Sequence, residues 1–163
     1  MADRSGFSEY VAARRPLMFR TAWMVCDDAH QAEDLVQHVV TRLYVGWPRI
    51  SRMDSVDGYV RTMLVHANVD RVRRRRDHVG LLGFDQASRD VDHDAVLDLR
   101  AALTDLAPGQ RRVVVLRHLW GPSVEETAAE LGIAPGTVKS QTADAVRRLR
   151  ELLAPQTRQG PTP

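Results

Sequence analysis

The stretch Pro122–Arg150, PSVEETAAELGIAPGTVKSQTADAVRRLR, leaves the chain few options. Ser123 followed three residues later by Glu126 is an S-x-x-E capping box, a helix start. Val124, Thr127, Ala128 and Leu131 then recur at helical spacing and predict one buried stripe. Gly132 suits the left-handed residue that ends such a helix. Pro135 fits the first position of the next, where its missing N–H is harmless. That second helix is expected to bury Val138, Thr142, Ala145, Leu149 and Leu152. Roughly opposite, at about 100° per residue, stand Gly136, Ser140, Ala143 and Arg147, with Lys139 at the border. Small, polar and basic groups on the exposed face of a second helix suit a major-groove reader. The same pattern describes an ordinary helical hairpin in a bundle, so on these residues alone both readings stand.

The charge distribution adds weight to nucleic acid. Net charge is only +2, but the basic groups are 22 Arg and the single Lys139. Arginine suits phosphate and guanine recognition; a GC-rich genome would produce the same bias. The unevenness is more informative. Arg71, Arg73, Arg74, Arg75 and Arg76 fall within six residues, whereas Asp77 to Asp98 holds six Asp against Arg89. Five like charges repel one another unless a polyanion lies close, although a solvated helix end is the plainer alternative.

Other classes find little support. Cys26 is the only cysteine, so neither a disulfide framework nor a Cys-based zinc site is expected, and a reducing cytoplasm follows simply. No apolar run approaches the roughly 18 residues of a membrane span, and MADRSGFSEY lacks a signal-peptide core. The six His are scattered, and no H-E-x-x-H, Gly-rich phosphate loop or nucleophile–base pair appears. No enzyme, cofactor, metal or catalytic residue is therefore expected.

Taken in order, Phe7, Tyr10 and Val11 suggest a short opening helix, with a break at Arg15–Pro16 and a second helix from Leu17 to Val25. Cys26-Asp27-Asp28 reads as a turn with an Asp cap. Ala29–Val45 is strongly periodic: Ala32, Leu35, Val36, Val39 and Leu43 mark one face as core. Asp34, Gln37, His38 and Thr41 lie opposite, which is equally the pattern of a merely solvated face. Gly46, Trp47 and Pro48 are expected to stop this helix, leaving Trp47–Asp57 as a loop. Gly58–Arg76 is a further helix burying Val60, Met63, Leu64 and Ala67, with Arg61, Val65, Asn68, Val72 and Arg75 on a neighbouring face. His78–His93 reads as an acidic flexible linker in which Leu81, Leu82 and Phe84 either dock on a partner or are simply apolar. Helical spacing resumes over Asp94–Leu106 and Gln110–Trp120, and the tail after Leu153 is expected to be disordered.

These pieces together resemble one family. AEDLVQHVVTRLYVGW, GYVRTMLVHANVDRVRRRR, LAPGQRRVVVLRHLWGPSVEETAAELGIAPGTVKS and AVRRLRELL are similar, in order, to segments of the extracytoplasmic-function sigma factors of bacterial RNA polymerase. Within the sigma-70 family, the likeness is to the short actinobacterial sigma-E-like branch with two domains. The helix-turn-helix alone is weakly specific; joined to the AEDLVQ helix and the Asn-then-Arg helix, the match is highly specific.

The resemblance implies an all-α fold of two small helical domains, 5–77 and 94–154, joined by a flexible linker at 78–93 and followed by a tail at 155–163, with the helix-turn-helix in the second domain. It implies binding of the largest-subunit clamp helices of core RNA polymerase through Asp34, Gln37, His38 and Thr41. It implies minus-ten contacts from Arg49, Ser51 and Arg52, in the loop that captures a flipped base, and from Arg61, Asn68, Arg71, Arg74 and Arg75. The second domain would grip the flap tip and read the minus-thirty-five element with Gly136, Thr137, Lys139, Ser140, Ala143 and Arg147.

The chemistry agrees with that division. A shaped pocket offsets the few kcal/mol of unstacking a base, and an Asn amide pairs donor and acceptor for adenine. Promoter DNA and core polymerase are then the expected partners, and a separate anti-sigma protein is one that the resemblance admits and no residue pattern establishes. Ala134, where a Ser or Thr commonly caps the recognition helix, and Gln141, Ala143 and Asp144, where basic or aromatic residues are frequent, depart from the family pattern. Asp144 is expected to pair with Arg148, four residues on. The alternative is a stand-alone helix-turn-helix regulator, which would not need Ala32–Arg76.

Overall fold

The structure, a computed structural model, describes residues 4–78 and 94–155, with side chains described for 4–69 and 95–155. The described residues form seven α-helices and no strand: α1 Phe7–Val25, α2 Ala29–Ile50, α3 Val56–His78, α4 Asp94–Thr104, α5 Pro108–Trp120, α6 Val124–Leu131 and α7 Pro135–Leu153. The expected linker lies outside the described residues except for His78, which closes α3; so does the tail beyond Pro155.

Two expected breaks do not occur. α1 runs through Pro16 as one helix. Pro16 and Ala12, whose carbonyl loses its partner, both face solvent, so water can take the freed group. Met18, Thr21, Ala22, Met24 and Val25 beyond it are buried, and that packing holds the helix together. α2 likewise continues through Gly46, Trp47 and Pro48 to Ile50. Trp47 and Ile50 extend the buried stripe of Ala32, Leu35, Val36, Val39 and Leu43. The Trp47 indole N–H donates to Ser5 O at 2.9 Å, and its ring centroid lies 5.5 Å from Phe7 and 5.4 Å from Tyr10. Pro48 leaves the Tyr44 carbonyl without a helical donor; Arg4 Nε reaches it in a long 3.5 Å hydrogen bond. The loop therefore shrinks to residues 51–55, and α3 begins at Val56 rather than Gly58.

Helix starts and stops otherwise follow local chemistry. Asp28 caps α2 by accepting from Gln31 N at 2.7 Å. Both bonds of the capping box at α6 are made, Glu126 N to Ser123 Oγ at 3.0 Å and Ser123 N to Glu126 Oε2 at 2.7 Å. Gly132 ends α6 at φ 65°, and α7 begins on Pro135 with no side-chain cap from Ala134.

Helices α1–α3 and helices α4–α7 pack on one another. Met18, Ala22 and Val25 of α1 share one apolar cluster with Leu103, Leu106, Val114, Val115 and Ala145. A smaller cluster, Val113, Ala128 and Val138, fixes α5, α6 and α7 together. Polar contacts complete the junction. The Trp120 indole donates to the buried Thr21 hydroxyl at 2.8 Å. Arg111 Nε donates to Met24 O at 2.7 Å and Arg100 Nε to Trp23 O at 3.1 Å. Those carbonyls end α1 and have no intrahelical donor, so guanidiniums from α5 and α4 complete the helix.

Candidate polymerase and nucleic-acid interfaces

Asp34, Gln37, His38 and Thr41 form one exposed strip along α2, opposite its core stripe. The strip is ordered by its own helix: Thr41 Oγ1 donates to Gln37 O at 2.8 Å and Gln37 Nε2 to Glu33 Oε1 at 3.3 Å. His30 lies 3.6 Å from Asp34, one turn away. Tyr44 and Val45, 45% and 72% exposed, prolong the strip with apolar surface.

Arg49, Ser51 and Arg52 are exposed around the end of α2 and the short loop after it. The start of α3 beyond them is anchored through Asp57, which accepts from the Tyr10 hydroxyl at 2.7 Å and from Arg14 Nε and Nη2 at 3.1 and 2.7 Å. Burial first, and the bond to Asp57 second, push the Tyr10 hydroxyl well above its ordinary range, so it stays a donor.

Arg61 and Asn68 share a face of α3 with Val65, and all three are buried. Asn68 lies within 3.7 Å of Cys26 Sγ, which donates to its Oδ1. Arg61 makes a fork on Glu130 of α6: Nε donates to both carboxylate oxygens, at 3.1 and 3.0 Å, and Nη2 to Oε1 at 2.6 Å. The bond to Glu130 outweighs burial and holds the guanidinium above its ordinary value. Arg71, Arg74 and Arg75 belong to α3, but their side chains lie outside the described residues.

On α7, Gly136, Lys139, Ser140, Ala143 and Arg147 are exposed and Thr137 is half-buried. The face expected from the spacing is thus open to solvent. Asp144 pairs with Arg147 at 2.7 Å rather than with Arg148 as expected; Arg148 turns to Glu151 at 3.2 Å. Both i,i+3 and i,i+4 partners lie on one helix surface, so spacing alone does not choose between them. Lys139 and Arg147, with Arg117 of α5 and Arg150, line a groove of about 600 Å³ between α5 and α7. Arg117 Nε is buried there with no hydrogen-bond partner among the described residues. Arg117 and Arg150 do not stand out in the sequence. A basic residue in the last turn of α5 is the available signal, but nothing in the spacing reveals which helix α5 faces. Among the described residues no group of three or more His, Cys, Asp or Glu could hold a metal ion.

Residues 10–78 match Sigma-70 region 2 and residues 97–149 match Sigma-70, region 4. The RNA polymerase sigma-E factor of Streptomyces avermitilis is 40% identical over 152 residues, spanning 90% of this chain and 84% of that protein. The chain belongs to the extracytoplasmic-function sigma factors. The sigma-E factor of Streptomyces coelicolor is 38% identical over 94% of this sigma factor and 89% of its own length. The fold also matches the sigma factor RpoE of Bartonella quintana, solved in complex with the anti-sigma factor NepR. That match has TM-score 0.80 and 26% identity, over 92% of this chain and 98% of that one. As a sigma factor the chain works with core RNA polymerase and promoter DNA in transcription initiation. The region 2 match covers the half that a stand-alone helix-turn-helix regulator has no use for.

Proposed function

We propose that the sigma factor divides its work by surface. The strip Asp34, Gln37, His38 and Thr41 meets the clamp helices of the largest polymerase subunit. Arg49, Ser51 and Arg52, with Arg61, Asn68, Arg71, Arg74 and Arg75, hold the minus-ten element and begin strand opening. Gly136, Thr137, Lys139, Ser140, Ala143 and Arg147 read the minus-thirty-five element, while the same half engages the flap tip. Arg117 and Arg150 join that last set as phosphate contacts, which fix register without reading sequence. The chain acts by binding, in the cytoplasm, without covalent chemistry, and a separate anti-sigma protein is its natural antagonist.

The observation that carries this reading is the strip on α2. Its residues are exposed and bonded only within their own helix, whose opposite face carries the core, so tertiary packing makes no use of them. A pull-down with core polymerase tests it: Asp34→Ala with Gln37→Ala should release the polymerase while leaving helix content unchanged, and full retention would count against it. For the minus-ten role, Asn68→Ala is expected to reduce open-complex formation without unfolding the protein. Permanganate footprinting of the promoter reads the effect, and an unaltered footprint contradicts it.

A further inference from the structure

One residue assigned above to DNA is held off it by the other half of the chain. Arg61 is 6% exposed and places its fork on Glu130 of α6, whereas Asn68, 8% exposed, is bonded to Cys26 within its own half. Resting on the reading that Arg61 meets DNA, we propose that the docked arrangement is a self-blocked state. In it the Glu130 carboxylate stands in for a DNA phosphate at Arg61, and Arg61 cannot engage DNA until α6 leaves it.

The geometry supports substitution rather than mere proximity. A planar guanidinium binds carboxylate and phosphate through the same two-pronged contact, so the two ligands are mutually exclusive at Arg61. The pair sits at one end of the junction, with side chains 8% and 12% exposed. At the other end Arg100 and Arg111 hold the last carbonyls of α1: Arg100 donates to Trp23, Cys26 and Asp27, and Arg111 to Met24 and Cys26. Trp120 bridges the two ends, donating to Thr21 with the Arg61 guanidinium 5.9 Å from its ring. All these partners lie on opposite sides of the linker, so one rotation of α4–α7 away from α1 and α3 breaks them together. A buried ion pair roughly balances its desolvation cost, so the Arg61–Glu130 contact fixes where α6 sits more than how tightly it holds. That suits a block that a polyanion must displace.

Glu130→Gln tests the block, because Glu130 is assigned no role on DNA or polymerase. The control is Glu125→Gln, which removes the same charge from an exposed position on the same helix. Fluorescence anisotropy of a labelled single-stranded DNA oligonucleotide measures affinity for the free protein, and small-angle X-ray scattering measures its dimensions. If closure hides most molecules, Glu130→Gln should bind about tenfold tighter and enlarge the radius of gyration, while Glu125→Gln stays near wild type. Arg100→Ala should act in the same direction from the other end, and circular dichroism checks that each variant keeps its helices. Equal gains from both glutamate variants would reduce the effect to charge and overturn the block. Unchanged dimensions and unchanged affinity would overturn closure while leaving the DNA role of Arg61 intact. Expansion with unchanged affinity would instead remove that role, and the block with it.

Discussion

Lys139 and Arg147 both project from α7 into solvent, yet Arg147 is already bonded to Asp144, whereas Lys139 makes no such ion pair among the described residues. An exposed i,i+3 pair contributes little to stability, so a DNA phosphate displaces it at small cost. Removing one phosphate-binding cation should lower the slope of log affinity against log salt by about 0.9. Lys139→Ala combined with Arg147→Ala is therefore expected to flatten the salt dependence of promoter binding by the holoenzyme by nearly two units; a filter-binding series with an unchanged slope would contradict the assignment. A second residue-scale prediction concerns the α6 cap. Ser123→Ala removes the side-chain acceptor for Glu126 N, and such caps contribute about 1 kcal/mol; thermal unfolding should show the drop in stability. The Glu126 carboxyl is held below its ordinary value, chiefly by the backbone N–H of Ser123. Because that value is depressed on folding, its contribution is present above the usual carboxylate range and lost as pH falls through the lowered value. The stability gap between wild type and Glu126→Gln should accordingly close in acid, as unfolding curves across pH would show.

Among the elements, α2 separates what the sequence makes legible from what it hides. Its core stripe and the outward strip follow from a 3.6-residue period, and both are as read. The capping box, Gly132 and Pro135 likewise delimit α6 and α7 from local chemistry alone. The end of α2 is not legible in this way. Gly46 and Pro48 favour a stop locally, but Trp47 is captured by Phe7, Tyr10 and the Ser5 carbonyl, some forty residues earlier in the chain. Local propensity loses to that packing. The same reasoning applies at Pro16, where flanking burial holds α1 intact. Trp47→Ala should cost about 3–5 kcal/mol and disorder the end of α2 together with residues 51–55; urea unfolding measures the first, and amide exchange the second. A cost near zero would mean that Trp47 does not hold the helix together.

For the whole molecule, the sequence shows two helical halves and is silent on how they meet. Arg100 and Arg111 read as ordinary helix residues, because the carbonyls they complete belong to a helix more than seventy residues away. Glu130 reads as one more solvated acid of α6, although it takes the guanidinium of Arg61, sixty-nine residues earlier. Such pairings need a fold before they can be seen. The candidate site divides the same way: α7 and the α2 strip are open as the spacing predicts, whereas on α3 Arg61 is covered by Glu130 of α6 and Asn68 is buried against Cys26. A sigma factor built so must be drawn open on the polymerase before both halves can reach DNA. Run-off transcription on genomic promoter fragments, with purified core polymerase and this chain supplied separately and together, tests that account most directly. Discrete promoter-specific transcripts should appear only when both are present. Tight sequence-specific DNA binding by the chain alone, with no transcript gained on adding core polymerase, would contradict it.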